Sequence, residues 1–526
     1  LAWATIRRPL ILLIAAFFVV DSKVLMVPRL GQDFFPQIDA GQFELHVRAP
    51  TGTRVEETEV LVASVEDEIR ATIPPSDLQL ILSNIGLPSN ALSLVEGSSA
   101  IGPADADILV QLNAPGKTFT YARTLTQSLP ERFPGTIFFL EPSDVVNQVL
   151  NLGLPAPIDV QVVGQNLAAN FAFAQRIATE LRAIPGAADI RLAQAMDSPQ
   201  LALTADRVKL MQMGLTTSTI GSNLLISLSS NGQVSPNYWL DTTNGVQYAV
   251  SVMTPQYKNA TMEQFESTPV SGASLAQPEL FRNLASVTRT TIPAVVSHYN
   301  ITPTVDVLLS AYQRDLGGVA SDVDAVISRL RPSLPHGSTI AVRGQVDSMR
   351  SSFKQLGFGI LFAIVLVYIL LVVNFQSWLD PLIIVGALPG ALTGIVWMLF
   401  VTRTTLNVPS LMGAIMAMGV ATSNSVLLIT FAESQRRAGR SADDAASDAG
   451  YTRLRPVCMT ALAMTIGMMP MALGLGDGGE QYAPLGRAVI GGLLVATVFT
   501  LFVVPLLYGV LRRERHPRKT AAPPPQ

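Results

Sequence analysis

The stretch LGFGILFAIVLVYILLVV, residues 356–373, carries no charge, and its single polar side-chain group is the hydroxyl of Tyr368. A bilayer core about 30 Å thick is crossed by about 20 apolar residues coiled as a helix, because lipid offers an open backbone no hydrogen-bond partner. Elsewhere in the chain, residues 381–401, 408–432, 457–476 and 488–511 meet the same requirement, and so do residues 9–27, where Asp21 and Lys23 interrupt the far end. No small-residue cleavage site follows 9–27, so it reads as a span and not as a signal peptide. Nothing between the first two spans can cross a membrane, and that stretch reads as a large water-exposed body. The composition agrees: 49% of the 526 residues are hydrophobic and 14% charged, against about 25% charged in soluble proteins. The net charge of −3 gives no electrostatic footprint for nucleic acid. Cys458, the single cysteine, excludes an internal disulfide framework.

Lys and Arg in short loops set orientation. Arg7 and Arg8 precede the first span, Arg436, Arg437, Arg440, Arg453 and Arg455 lie around the connection between the fourth and fifth, and Arg512, Arg513, Arg515, Arg518 and Lys519 follow the sixth. Six spans place all three clusters on one side, expected to be cytoplasmic, with the large body outside.

Within that body, strand-like alternation puts Phe43, Leu45 and Val47 on one face, and a helix should follow with Thr53 and Glu56 at capping-box spacing. Residues 78–82 read as the next strand. The order strand, helix, strand recurs at 108–112, 118–129 and 137–140, again from Ile158 with Phe173, Ile177, Leu181 and Ile184 as the helical stripe, and again at 305–309, 319–330 and 340–342. Four βαβ units make two ferredoxin-like (split βαβ) subdomains. The second is divided by an insertion, 198–300, whose Asn231-Gly232 and Asn244-Gly245 pairs are hairpin-turn signals.

The sequences FFPQIDAGQFELHVRAPTGT (34–53), NFQSW (374–378), GVATSNSVLLITFAE (419–433) and TRLRPVCMTALAMTIGMMPMALG (452–474), in this order of spans and subdomains, resemble the C-terminal half of a resistance-nodulation-division (RND) efflux transporter. The resemblance covers essentially the whole chain. It implies an α+β membrane protein with six transmembrane helices and a large periplasmic region of two porter subdomains and an inserted docking subdomain. On that scheme 1–30 is the first transmembrane helix, 31–155 porter subdomain 1, 156–197 with 301–345 porter subdomain 2, and 198–300 the docking subdomain with a hairpin arm. The five remaining helices take 350–513, and 514–526 form a disordered cytoplasmic tail. The resemblance further implies the bacterial inner membrane, a homotrimer, proton-driven antiport, a periplasmic adaptor protein and an outer-membrane channel. Family members carry two such halves, so the chain is expected to be a piece of something longer or to need a separate N-terminal half.

The family's proton relay pairs aspartates in the first half with a lysine on this half's fourth span. Asn424 matches the pattern, and Ser423 stands where the lysine is expected; Arg453 and Thr460 fall at the family's relay arginine and hydroxyl. Arginine keeps its proton, so Arg453 would act by tuning neighbouring acids. The plainer roles are interhelical hydrogen bonding for Ser423 and Asn424 and headgroup anchoring for Arg453. The loop 89–104 takes the place of the family's flexible switch loop, which makes Leu94, Gly97 and Ile101, with Phe138, candidates for the substrate path. Residues 31–195 hold no methionine or cysteine and one histidine, His46, which argues against soft metals. The expectation is therefore export of small hydrophobic or amphiphilic compounds, with no bound metal and no cofactor. The alternatives are a heavy-metal RND exporter half and a membrane-anchored protein or lipid export auxiliary factor. No nucleophile elbow, P-loop, zinc-ligand spacing or dinucleotide fingerprint supports an enzyme.

Overall fold

The computed structural model of the chain describes residues 8–36, 38–86, 100–141, 149–151, 153–476 and 478–512. It divides into two compact units, residues 195–295 and the remainder. The expected tail, 514–526, and the candidates Leu94 and Gly97 lie outside the described residues.

In the larger unit, β1 (Gln42–Arg48), α1 (Val55–Thr72), β2 (Leu78–Ile85), β3 (Asp105–Leu112), α2 (Thr118–Arg132) and β4 (Ile137–Glu141) follow one another. The four strands form an antiparallel sheet in the order β2-β3-β1-β4, the order of a split βαβ unit. Alternation along β1 explains why the helices cover one face. Phe43, Leu45 and Val47 are buried beneath them with Val62, Val65 and Ile69 of α1 and Leu125 and Leu129 of α2, each such burial contributing about 1.5–3 kcal/mol. The capping box expected at Thr53 is not made. The Thr53 hydroxyl donates to the Pro50 carbonyl at 2.6 Å, closing the preceding turn, and Arg54 takes the N-cap position, where its side chain does not cap the helix but reaches Glu56 Oε1 at 3.3 Å. Glu56 and Glu57 in the first turn still complement the helix dipole.

The second sheet is built from β5 (Ile158–Val163), α3 (Leu167–Leu181), β6 (Ala187–Leu192), β7 (Thr302–Ala311), α4 (Leu316–Leu330) and β8 (Thr339–Arg343). β7 pairs with β6 and β5, and β5 with β8, so the split βαβ order repeats. Asn166 caps α3 by accepting the Ala169 N–H at 3.1 Å. Asp315 caps α4 through the Gly318 N–H at 2.7 Å and also accepts the Gln32 N–H at 2.9 Å. With Leu316 N–H donating to Asp33 at 2.8 Å, that helix start fastens the chain leaving the first span.

The smaller unit has its own core of Leu210, Leu215, Ile220, Leu224, Phe265, Phe281 and Leu284. Its hairpin joins Asn237–Leu240 to Gln247–Val250 through a connection containing Asn244 and Gly245, the glycine at φ +71°. Asn231 does not turn a hairpin as expected. It opens a short 3-10 segment, because its side chain is committed elsewhere: Nδ2 donates to Ser235 O at 3.0 Å and Oδ1 accepts the Val252 N–H at 2.7 Å.

Among the described residues, six helices are long and apolar enough to cross a membrane: Leu10–Arg29, Gln345–Phe375, Leu379–Val401, Val408–Arg437, Ala442–Ala472 and Gly479–Leu511. The sixth is the centre of the bundle, with 78% of its apolar window buried against 6% for the first and second. Small residues let the third and sixth approach backbone to backbone. A Cβ on Gly394 would meet the Gly491 carbonyl at 2.3 Å, one on Gly491 would meet Met398 Cβ at 2.2 Å, and one on Gly390 would meet the Phe499 ring at 2.3 Å. In lipid, where helices gain no hydrophobic drive toward each other, such close packing holds them together. The first span is tied to the third by Phe18 stacked on Trp397, centroids 5.5 Å apart, and by Trp397 Nε1 donating to Ser22 Oγ at 2.9 Å.

Candidate functional site

The membrane candidates are distributed unevenly. On the fourth span Asn424 is buried, whereas Ser423 is exposed on the bundle's outer surface. The hydroxyl facing the sixth span belongs to the next residue: Ser425 lies 3.2 Å from Thr500 Oγ1 and donates to Ala421 O at 2.9 Å. Thr460 is exposed and turns its hydroxyl back on its own helix, toward Pro456 O at 3.2 Å and Val457 O at 3.0 Å. Pro456 lacks an N–H, so the local ladder is already interrupted there. Arg453 lies over the Phe431 ring at 5.5 Å, and its Nε has no hydrogen-bond partner. A larger polar centre sits at the end of the fourth span. The buried carboxylate of Glu433 accepts from Arg436 Nε at 3.0 Å and Nη2 at 2.8 Å, and from the fully buried Tyr508 hydroxyl of the sixth span at 2.9 Å. Nearby, Arg512 holds the buried Asp380 at 2.5 and 3.1 Å and Ser377 at 3.0 Å.

Of the described substrate-path candidates, Phe138 packs on the helix side of the first sheet against Phe133, centroids 6.1 Å apart. Ile101 is half-buried, and its N–H donates to Asp105 at 2.9 Å. A cavity of about 430 Å³ opens elsewhere, among Phe34, Phe35, Phe43, Phe119, Leu140 and Tyr312.

The concentration of chemistry is on the face of the first sheet that turns away from α1 and α2. Because Leu45 and Val47 point to the helices, Glu44, His46 and Arg48 point the other way. Register places His46 opposite Asp107 on β3 and opposite Phe139 on β4. The His46 side chain is fully buried. Its Nδ1 is 2.5 Å from Asp107 Oδ1 and 3.9 Å from Glu141 Oε1, and its Nε2 is 3.1 Å from Asp105 Oδ1. Arg48 Nε donates to the same Asp105 oxygen at 2.6 Å. The imidazole stacks on Phe139, centroids 4.4 Å apart, and the Arg191 guanidinium lies 3.6 Å from the Phe139 centroid. Burial disfavours the imidazolium, but the hydrogen bonds to Asp105 and Asp107 outweigh it and raise the His46 pKa. Burial, reinforced by Glu141 and Asp107, pushes Glu44 up to about 7.

One ligand atom each from His46, Asp107 and Glu141 lies within 4.8 Å of the others, a separation that a small divalent cation can draw together. Imidazole with carboxylates suits zinc, cobalt and nickel; the thioether and thiolate set for Cu(I) and Ag(I) is missing. No linear ligand spacing announces this trio, since each member comes from a different strand. The signal available was the buried histidine at an outward position of β1, with Asp105 and Asp107 alternating onto the same face of β3.

Six membrane-length apolar helices and two split βαβ units interrupted by an inserted unit define a polytopic membrane protein with a large folded body between its first two spans. Residues 1–512 match the AcrB/AcrD/AcrF family, and the chain belongs to this family of RND transporters. It is 25% identical over 505 residues to the cobalt-zinc-cadmium resistance protein CzcA of Cupriavidus metallidurans, covering 94% of this chain and 47% of that protein. It is 26% identical over 526 residues to the nickel and cobalt resistance protein CnrA of the same organism, covering 97% and 47%. To the multidrug resistance protein MdtC of Serratia proteamaculans it is 29% identical over 350 residues, covering 66% and 33%. The fold matches the crystal structure of a heavy metal efflux pump at a TM-score of 0.78 with 22% identity, over 95% of this chain and 49% of that one. The chain spans about half the length of the curated relatives it matches.

Proposed function

We propose that the chain is the C-terminal half of a proton-driven RND efflux pump whose cargo is a divalent transition-metal cation, bound on its way out by His46, Asp107 and Glu141. The carrying observation is that buried trio. The cation class is supported by CzcA, a cobalt-zinc-cadmium resistance protein, by CnrA, a nickel and cobalt resistance protein, and by the heavy metal efflux pump whose fold the chain shares. The absence of methionine and cysteine from residues 31–195 bears only on soft ions; borderline ions need nitrogen and oxygen, which this face supplies. Cation binding displaces the proton of His46, so affinity falls as pH drops through the raised His46 pKa. Arg48 and Arg191 offset the acids when the cation leaves.

The arginine clusters support a cytoplasmic location for both ends of the helical bundle, with the split βαβ units, as porter subdomains, and the inserted unit, as a docking subdomain, outside the inner membrane. A homotrimer with an adaptor protein and an outer-membrane channel completes the reading, as does an N-terminal half carrying the titrating aspartates. Ser423, Asn424, Arg453 and Thr460 remain the relay positions on this half, with Arg453 acting on acids of the other. The amphiphile reading keeps two supports, the aromatic-walled cavity beside Phe34, Phe43 and Tyr312 and the likeness to the multidrug resistance protein MdtC.

Equilibrium dialysis of the purified chain tests the cation site. The chain should bind Zn²⁺ or Co²⁺ and discriminate against Ag⁺, and His46→Ala, with an unchanged circular dichroism spectrum, should weaken binding by about 100-fold or more, since losing even a partner that only orients a ligand costs about 10–100-fold. Equal affinity in the variant would remove the trio from the function.

The hairpin of the smaller unit exposes Tyr238, Trp239, Leu240, Tyr248 and Val250, more apolar surface than an isolated arm leaves in water. Deleting residues 229–248 should leave a folded monomer that forms no trimers by light scattering; trimers in the deletion variant would show that the arm is not the contact.

A further inference from the structure

The second sheet also carries a polar face. Gln161 on β5 stands opposite Asp306 on β7, and Asp159 stands opposite Leu308 on β7 and Arg343 on β8. Asp159, Gln161 and Asp306 therefore occupy neighbouring positions on the side away from α3 and α4, where Val160, Val162 and Val307 pack. Asp159 is 1% exposed and Gln161 9%. Each carboxylate has one oxygen engaged by an amide. Gln161 Nε2 donates to Asp159 Oδ2 at 2.7 Å, and Gln194 Nε2 donates to Asp306 Oδ2 at 2.7 Å. Asp159 Oδ1 and Gln161 Oε1 are buried with no hydrogen-bond partner, and the remaining Asp306 oxygen, Oδ1, is buried beside the hydroxyls of Thr304 and Ser297. The Gln161 amide is oriented by its own bond to Asp159, which leaves its carbonyl oxygen as a free ligand on this face.

The expected neutralising partner acts on Asp159 through space, without a hydrogen bond to it. Arg343 lies directly across from Asp159, yet its guanidinium sits 3.9 Å from the centroid of the Tyr299 ring and its Nε has no partner. A buried oxygen without a donor costs about 1–3 kcal/mol, more when charged. Acceptors at these adjacent positions make the face electron-rich, and unexplained buried acceptors in a native fold point to an ion or water.

We propose that Asp159, Gln161 and Asp306 form a second divalent-cation site, bound through oxygen alone and distinct from the site at His46. Two carboxylates and an amide carbonyl suit Mn²⁺, Mg²⁺ or Ca²⁺ and hold Zn²⁺ or Co²⁺ less tightly than imidazole does. The role of this site as a weaker station for the exported cation rests on the cation-efflux reading; its capacity to bind does not. Arg191 connects the two faces, pairing with Leu308 in the second sheet while its guanidinium stacks on Phe139 beside His46.

The test is the stoichiometry of Mn²⁺ and Co²⁺ bound to the purified full chain, read by equilibrium dialysis and, for Mn²⁺, by the loss of its free-ion paramagnetic resonance signal. The wild-type chain should bind two Co²⁺. Asp159→Asn with Asp306→Asn should bind one Co²⁺ and lose Mn²⁺ binding, while His46→Ala should keep Mn²⁺ and lose the tighter Co²⁺. Gln161→Leu, which keeps both charges, should weaken Mn²⁺ at least tenfold and serves if the double variant does not fold. Undiminished Mn²⁺ binding in the aspartate or Gln161 variants, or a single Co²⁺ in the wild-type chain that disappears with His46→Ala, would overturn the second site. Loss of nothing in His46→Ala would instead overturn the cation-efflux site and leave this one standing.

Discussion

Gly491→Leu should abolish accumulation of the folded chain. The sixth span is the core of the helical bundle, and at Gly491 its backbone lies so close to the third span that even a methyl group would meet Met398 Cβ at 2.2 Å and the Gly394 carbonyl at 2.6 Å. Three further carbons cannot be placed by rotating side chains, because one obstacle is backbone. The helices must separate, and the packing around Ile395, Leu399, Ala414, Ala417 and Ala488 then opens. Overpacking a soluble core costs about 1–3 kcal/mol where neighbours can shift; a backbone obstacle in lipid puts this substitution beyond that range. Membrane-fraction immunoblots and size-exclusion profiles in detergent should show almost no monodisperse protein. A variant that elutes like the wild type at equal yield would mean that the third and sixth spans are not packed as described.

Glu433→Leu should cost about 3 kcal/mol of stability. The fully buried Tyr508 hydroxyl loses its acceptor, and Arg436 loses both hydrogen bonds to the carboxylate. Tyr508→Phe removes the hydroxyl and its desolvation cost together, so it should be milder, about 1 kcal/mol. Thermal unfolding of the purified chain, followed by loss of monodispersity, should rank wild type, Tyr508→Phe and Glu433→Leu in falling order. A Glu433→Leu variant as stable as the wild type would show that the cluster contributes nothing.

Hydropathy marks what lipid touches, and this made the spans legible while hiding their ends. The second helix begins at Gln345, before the apolar stretch, because it runs on out of the membrane and is anchored by the ion pair of Arg350 with Asp324. The fifth begins at Ala442, capped by Ser441 with Asp443 and Asp444 in its first turn, residues no hydropathy window would include. Within the folded body, period-two alternation disclosed the core face of β1, and apolar residues three and four apart disclosed the stripes of α3 and α4, since burial on one face imposes one residue type at the interval of the element. Local polar side chains were less legible: Thr53 and Asn231 had several hydrogen-bond partners open to them, and tertiary geometry chose among these. The His46 trio depends on cross-strand register between segments far apart in the chain. Alternation alone placed His46 opposite to Leu45 and Val47; only sheet order brings Asp107 and Glu141 to it.

Cation efflux itself is tested by metal tolerance in a host lacking its own exporters, with this chain expressed beside a matching N-terminal half. Such cells should be protected against zinc, cobalt or nickel, the protection should disappear with His46→Ala at unchanged protein level, and silver tolerance should not rise. Protection against lipophilic dyes or detergents, with no change in tolerance to any divalent cation, would contradict a divalent-metal cargo.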